Sequence, residues 1–333
     1  MYPPHLCGGF TFGYGDKRMI PLELGYRDVY LRPQKCAVKS RRECDTSVKF
    51  GPRTFSMPVF AANMKSVVNE DTCRFFVQHG FFYSMHRFGV DNMKFIESMR
   101  EDGYFASVSI GIKNDGREGM MFRKLDLIPE YLTVDVANAY SDRMETVIKN
   151  IKNAIPETFL IVGNVSSKEA VADLEKWGAD AIKVGIGQGK TCLTRVKTGF
   201  TRPMITTILE CTEETNLPII SDGGIEEHGD IAKALSCGAS MVMAGALFDG
   251  YDESAGDVME IDGKQYKEYF GSASEYNKEE KKNIEGKKIL ISYKGSMVRL
   301  LQELKEDLQS SISYAGGKDL SALVPSLLLQ VRN

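Results

Sequence analysis

An α/β chain closed into a (β/α)8 TIM barrel is the fold this sequence predicts, and three observations predict it. Eight short apolar runs rich in β-branched residues recur along the chain, amphipathic stretches lie between most of them, and the first run lacks the glycine fingerprint of a doubly wound sheet. The runs are MPVFAAN (57–63), GFFYSMH (80–86), YFASVSI (104–110), YLTVDVA (131–137), TFLIVGN (158–164), DAIKVGI (180–186), LPIISDG (217–223) and SMVMAGA (240–246). Their near-continuous apolar character suits parallel strands buried on both faces. Among the intervening stretches, Asp91–Arg100, Ser141–Ala154, Ser167–Trp177 and His228–Ser236 carry Leu, Ile, Val or Ala at helical spacing. Several begin near a Ser or Asp, whose side-chain oxygen can cap the first turn. The rival architecture, an open doubly wound sheet, needs an edge strand and usually a Gly-rich first turn, whereas here the first run leads into AANMKS.

Residues 1–20, rich in Gly, Pro and aromatics, read as an irregular extension, which leaves 21–333 for a single catalytic barrel. After the eighth run, GKQYKEYFGSASEYN (263–277) alternates like a small hairpin and runs into the charged KEEKKNIEGKK (278–288), a solvated loop or a mobile lid. A closing helix is expected over Ser296–Ser313. The barrel therefore carries a C-terminal hairpin and lid elaboration at the end where barrel active sites sit.

A formal net charge of −3 with 43% hydrophobic residues suits a globular enzyme and gives no electrostatic ground for a nucleic acid or membrane partner. The seven cysteines are scattered, odd in number and without Cys-x-x-Cys spacing, which argues against a zinc or disulfide framework and for a reducing cytoplasm. Met1–Asp16 has neither the basic start nor the apolar core of a signal peptide. No later apolar run approaches the ~20 residues of a bilayer span.

The stretch KVGIGQGKTCLTRVKTG (183–199) resembles a phosphate-binding P-loop, but that motif needs a glycine where Val184 stands, and Gly185 is one residue too close to Gly189. The glycines Gly185, Gly187 and Gly189 instead permit a loop whose carbonyls turn inward, towards a monovalent cation or a ligand. Cys192 follows in the same loop with Arg195 and Lys197 nearby, the setting in which a thiol ionises and acts as a nucleophile; the alternative is an inert cysteine, the reading that fits Cys73, Cys211 and Cys237. Thr194 could exchange a proton if a base lies across the site. The turns after the seventh and eighth runs, with Gly223, Gly224 and Gly245, suit a phosphate, or merely tight strand-to-helix turns. Asp222 repels a phosphate and is better suited to accept from ribose hydroxyls, which points to a nucleotide.

Taken together, GYRDVYLRP (25–33), AANM (61–64), GNV (163–165), KVGIG with CLTRVKTG, SDGGI and EGKK (285–288) resemble the IMP dehydrogenase/GMP reductase family from about Leu24 onward. The reductase branch is favoured. SMHRFGVDNMKFIESM runs from strand to helix with no room for the paired CBS regulatory domain of the dehydrogenases, and only ten residues separate Ser274 from Glu285, too few for their flap. YFGSASEYNKEEKKNIEGKK and LQSSISYAGG look like the branch common in Gram-positive-type bacteria. The resemblance implies reduction of GMP to IMP and ammonia by NADPH in purine salvage, with Cys192 forming a covalent thioimidate at purine C2 and Thr194 with Glu285 as the proton-relay pair. It places GMP on Asp222, Gly223, Gly224, Gly245, Ala246, Gly271, Ser272, Ala273 and Gly286. It places the cofactor on Arg87, Asp135, Val136, Ala137, Ile186 and Gly187, and on Ser40, Arg41, Tyr314, Gly316 and Gly317 reaching in from a neighbouring subunit of a homotetramer. Potassium falls to the carbonyls of Gly187, Gly189 and Cys192, with Arg195. Departures from the family pattern are Ala139 in place of glycine near the expected nicotinamide, Lys65 after AANM, a serine in GNVSSKE, and a loop FTRPMI (200–205) without the usual glycine and glutamine. The competing activities are IMP dehydrogenase, which would turn IMP into XMP with NAD, and a nucleotide-binding barrel without catalysis.

Overall fold

The computed structural model describes residues 22–277, 284–324, 326 and 328–330; the expected extension 1–20 and residues 278–283 of the charged run lie outside the described residues. Strand β1 (Val29–Leu31) comes first, followed by the hairpin β2 (Val48–Phe50) and β3 (Arg53–Phe55). Phe50 and Phe55 pack edge-on against Phe82, at 5.2 and 5.4 Å between ring centroids, and Phe50 lies 5.1 Å from Phe159. Because Tyr131 and Phe159 begin their strands, this aromatic cluster plugs the N-terminal end of the barrel and leaves the other end open.

Seven parallel strands curl into the barrel wall: β4 (Val59–Ala61), β5 (Ser107–Ile110), β6 (Tyr131–Asp135), β7 (Phe159–Val165), β8 (Ala181–Val184), β9 (Ile219–Asp222) and β10 (Met241–Ala244). Their spatial order is β4-β10-β9-β8-β7-β6-β5, so paired strands are consecutive in the chain except where β10 returns to β4, and β4 and β5 stand at the two ends. The fold is the expected α/β barrel, with one local difference. The second apolar run is buried and extended but forms no regular ladder. It is held by Met85 N donating to Ser107 O at 3.0 Å, and by the Ser84 hydroxyl shared with Ser109 and Thr133 at 3.1 Å each. The hydroxyl contacts join this run to β5 and β6 side chain to side chain, beside the single backbone bond from Met85.

Helices α1 (Glu70–Gln78), α2 (Asn92–Glu101), α3 (Glu118–Lys124), α4 (Asp142–Ala154), α5 (Lys168–Trp177), α6 (Thr194–Thr198), α7 (Met204–Glu214), α8 (His228–Ser236) and α9 (Val298–Tyr314) include every helix expected from periodicity, within two residues at each end. Asp91 caps α2 through the amides of Met93 and Lys94, and Ser167 caps α5 through that of Ala170. No helix among the described residues is long and apolar enough to cross a membrane.

The elaboration after β10 is larger than a hairpin. β11 (Met259–Ile261) and β12 (Lys264–Phe270) turn over Asp262 and Gly263, and β13 (Lys288–Ser292) adds a third antiparallel strand at the end of the charged run. On β13, Ile289 and Ile291 share the face that packs, partly buried, against the core. β14 (Leu328–Gln330) then pairs with β1 and ties the two ends of the described chain.

Candidate active site

A cavity of about 930 Å³ opens where the barrel strands end, within the size that holds a ligand of nucleotide dimensions. Its floor is a buried charge ladder. Lys183, on β8 and 2% exposed, donates to Asp222 Oδ2 at 2.6 Å and to Asp135 Oδ1 at 3.1 Å, so one ammonium joins the ends of β6 and β9. Burial opposes that charge, but Asp222 and then Asp135 outweigh it and hold the Lys183 ammonium up at about 12. Asn164, at the end of β7, donates to the same Asp222 Oδ2 at 2.8 Å and to Gly185 O at 2.6 Å. Both contacts use one oxygen of Asp222, which leaves Oδ1 for a donor such as a ribose hydroxyl. Gly185 is obligatory at the crossing: its φ is +133°, and a Cβ would stand 2.1 Å from Asp222 O.

The reactive wall is built from the loop after β8 and the segment before β13. Cys192 Sγ donates to Thr194 Oγ1 at 3.3 Å, and Thr194 Oγ1 donates to Glu285 Oε2 at 2.5 Å. The backbone holds the two segments in register, with Leu193 N donating to Glu285 O at 2.7 Å and Lys287 N to Thr191 O at 2.9 Å, around an isolated bridge between Cys192 and Gly286. Cys192 is half-buried. By contrast, Cys73, Cys211 and Cys237 are fully buried and their thiols are pushed up by burial, Cys211 and Cys237 to about 12, so they stay inert. Cys7 lies outside the described residues.

The expected ligand residues divide into three groups. Arg87, Asp135, Val136, Ala137, Ile186, Gly187, Gly189, Cys192, Thr194, Asp222, Gly223, Gly271, Ser272, Ala273 and Glu285 all line the cavity. Gly224, Gly245, Ala246 and Gly286 stand behind the lining. A Cβ on Gly224 would meet Tyr26 and Met204, one on Gly286 would meet Ser274 N, and one on Gly245 would lie 2.2 Å from Tyr269 Oη. Ser40, Arg41, Tyr314, Gly316 and Gly317 line no part of the cavity of this single chain. They gather instead on one surface, where the Arg41 guanidinium sits 5.4 Å over the Tyr314 ring and donates to Ser310, and Gln34 N donates to Tyr314 O. Arg195 is exposed on α6.

Two departures from the family pattern have structural answers. The Ala139 methyl is fully buried, with its amide on Asn164 O, and does not reach the cavity wall where the expected nicotinamide lies. Lys65 is exposed, and its charge assists burial in lowering the His86 pKa to about 4.

Sequence reasoning gave no role to Lys183, Asn164, Gln188 or Tyr269, all of which line the cavity. One signal was available: Lys183 is a charge inside an otherwise apolar strand run. Tyr269, on β12, places its hydroxyl over Gly245, at the turn where an anion was expected.

Fit to the implied groups follows from these contacts. Among the described residues no donor takes the carbonyls of Gly187 or Cys192, while Gly189 O accepts from Cys192 N at 2.9 Å, so the loop keeps carbonyl oxygens available for a monovalent cation. For a nicotinamide cofactor, Arg87 stands at the mouth 3.8 Å from Asp135, with its guanidinium 4.5 Å over the Phe88 ring.

The IMP dehydrogenase / GMP reductase domain model matches residues 23–330. A GMP reductase of Chromobacterium violaceum is 58% identical over 314 residues, covering 94% of this chain and 99% of that protein. GMP reductases of Staphylococcus saprophyticus and Staphylococcus aureus are 51% and 50% identical over 92% of this chain, and over 95% and 96% of their own lengths. The chain belongs to the IMP dehydrogenase/GMP reductase family of oxidoreductase enzymes.

Proposed function

We propose that this chain is an NADPH-dependent GMP reductase, converting GMP to IMP and ammonia, and that the observation carrying the reading is the unbroken chain of donors from Cys192 through Thr194 to Glu285. As drawn, the thiol proton can pass to the Thr194 hydroxyl while the hydroxyl proton passes to the Glu285 carboxylate, leaving a thiolate facing the cavity. Cys192 Sγ then bonds to purine C2. The exocyclic amine leaves as ammonia, taking the proton stored on Glu285 back through Thr194, and a thioimidate remains. NADPH, which Arg87, Asp135, Val136 and Ala137 would hold, would supply the hydride to C2, and breaking of the C–S bond would release IMP and restore the Cys192 thiolate. Asp222, oriented by Lys183 and Asn164, holds the ribose hydroxyls, and the backbone about Gly223 and Gly245 with the Tyr269 hydroxyl holds the phosphate.

On the same reading Gly187, Gly189 and Cys192 hold potassium through their carbonyls, with Arg195 beside them. The 1–20 segment precedes one catalytic barrel without an inserted regulatory domain. The surface carrying Ser40, Arg41, Tyr314, Gly316 and Gly317 completes the cofactor site of a neighbour in a cytoplasmic homotetramer that serves nucleotide salvage. The test is to incubate purified protein with GMP and NADPH, and separately with IMP and NAD, following cofactor absorbance and ammonia. Oxidation of NADPH with stoichiometric ammonia is expected in the first mixture. NADH formation only in the second would make the chain an IMP dehydrogenase, and no turnover in either would leave a binding barrel.

A further inference from the structure

The loop that carries Cys192 departs from the family pattern at its return, 200–205, and the structure shows what stands there. Arg202, 18% exposed at its side chain, donates to Glu23 Oε1 at 2.9 Å, to Glu210 Oε1 on α7 at 2.6 Å and to the Ser166 carbonyl after β7 at 3.1 Å. One guanidinium thus joins the N-terminal segment, the β7 loop and α7, using the planar fork that a lysine lacks. The backbone adds to the same junction, with Leu24 N on Thr206 Oγ1 at 2.8 Å and Thr206 N on Leu24 O at 3.1 Å.

From this junction a chain of hydrogen bonds reaches the cavity. Gln188 Nε2 spends both its protons across the loop, on Arg202 O at 2.9 Å and Thr201 Oγ1 at 2.7 Å. Thr201 Oγ1 in turn donates to Ile186 O at 2.8 Å. These three bonds close the stem of the loop at residues 186–188 against 201–202. The glycines between them, Gly187 and Gly189, line the cavity and lead directly into Cys192. The other tether of the loop is the backbone bridge to Glu285 and Gly286, so the thiol hangs between two anchors.

We infer that the Arg202 side chain is a positioning group: by fixing residue 202 it fixes the backbone carbonyl on which Gln188 bonds, and so sets the glycine loop and the geometry of the Cys192 thiol. The inference rests on the catalytic role given to Cys192 above, and extends it to a residue that touches neither substrate nor cofactor. Freeing the stem lets residues 186–189 move relative to Thr194 and Glu285, and a displacement of about 1 Å at a reacting group costs up to ~100-fold in rate.

The test uses the full chain in a Cys36→Ser background, because Cys36 is exposed and would otherwise react. Arg202→Met, Arg202→Lys and Glu23→Gln are compared by kcat and KM for GMP, by the rate at which iodoacetamide alkylates Cys192, and by melting temperature. Arg202→Met is expected to lose about tenfold or more in kcat, with a smaller change in KM. Its Cys192 alkylation is expected to slow about threefold or more as the thiol leaves Thr194 and loses the relay that deprotonates it. Arg202→Lys, which keeps the charge and loses the fork, should fall between it and the parent, whereas Glu23→Gln, which leaves the guanidinium bonds to Glu210 and the Ser166 carbonyl in place, should stay near the parent. Parental kcat and alkylation rate in Arg202→Met, whatever its melting temperature, would overturn the inference, since a purely structural arginine moves only the latter. If Arg202→Met does not fold, parental values of both readouts in Arg202→Lys overturn it equally. Should the parent fail to reduce GMP at all, the proposed function falls, while the alkylation rates still decide the role of Arg202.

Discussion

Lys183 and Cys192 belong to the same loop-and-strand unit, yet they are held in opposite ways. Lys183 sits inside a strand, its charge matched by one carboxylate on the adjacent β9 and one on β6, two strands away, and its position fixed by the barrel. Cys192 sits nine residues further on, half-buried, with an uncharged hydroxyl as its side-chain partner, on a loop tied at its stem and to the segment before β13. The difference separates recognition from reaction. The floor that orients Asp222 is organised before any ligand arrives, because moving it would strand buried charge. The reactive wall spans two segments whose relative position is set by a few hydrogen bonds, so it can adjust as bonds to sulfur form and break.

The sharpest way to break this comparison is to change one residue on each side. Cys192→Ala is expected to lose about 10,000-fold or more in turnover, the scale seen when a nucleophile is removed, while the melting temperature stays near that of the parent. Lys183→Met should do the reverse first. Removing one partner of a buried ion pair costs about 3–5 kcal/mol, because Asp135 and Asp222 are left facing each other without a cation. Thermal unfolding should show that loss, and calorimetric titration should show weakened GMP binding. A Lys183→Met protein of parental stability would mean that the floor is not the rigid half. Next in size, Thr194→Val and Glu285→Gln are each expected to lower kcat by about 100-fold with little effect on GMP affinity. Equal effects of the two variants would support one relay, and a double variant no worse than either single would establish it.

How far the two halves could be read from sequence also differs. The barrel is legible because its seven regular strands are short, mostly apolar runs buried on both faces, and the helix caps at Asp91 and Ser167 mark the starts of their helices. The second run has the same apolar pattern, but it joins β5 and β6 through one backbone bond from Met85 and through the Ser84 hydroxyl on Ser109 and Thr133, a pairing that no local pattern encodes. β13 was hidden because its alternating residues follow a dense charge run that reads as loop. Cys192 and Thr194 are adjacent enough to be noticed together. Glu285 lies 91 residues beyond Thr194, so only the family resemblance connected them. Lys183 was passed over because a lysine in an apolar strand looks like an interruption until its two carboxylates are seen.

The last expected effect, on stability alone, concerns a buried carboxyl on the turn that leads from the barrel towards the β11-β12-β13 sheet. Asp249, on the turn after β10, is completely buried. Its Oδ1 takes the Gly250 amide at 2.8 Å and its Oδ2 has no hydrogen bond among the described residues. Lys294 Nζ donates to the Asp249 backbone carbonyl at 2.9 Å, and Lys267, 3% exposed on β12, spends its protons on the Asp252 and Ser254 carbonyls. Burial pushes the Asp249 carboxyl from 3.8 up to about 6, against the pull of the Gly250 amide, of Lys294 and Lys267, and of the nearby Ser254 hydroxyl. The raised value means that the folded chain holds this proton more tightly than the unfolded chain. The stability linked to the proton is therefore fully present below pH 3.8 and is lost as pH rises through about 6, at a cost of ~3 kcal/mol above it. Asp249→Asn removes the titration. Its melting temperature should exceed the parent's by several degrees at pH 8, and the difference should shrink steadily towards pH 4, where both side chains are neutral. A constant difference across that range would mean that Asp249 stays in one protonation state, and that its neighbouring lysines outweigh its burial.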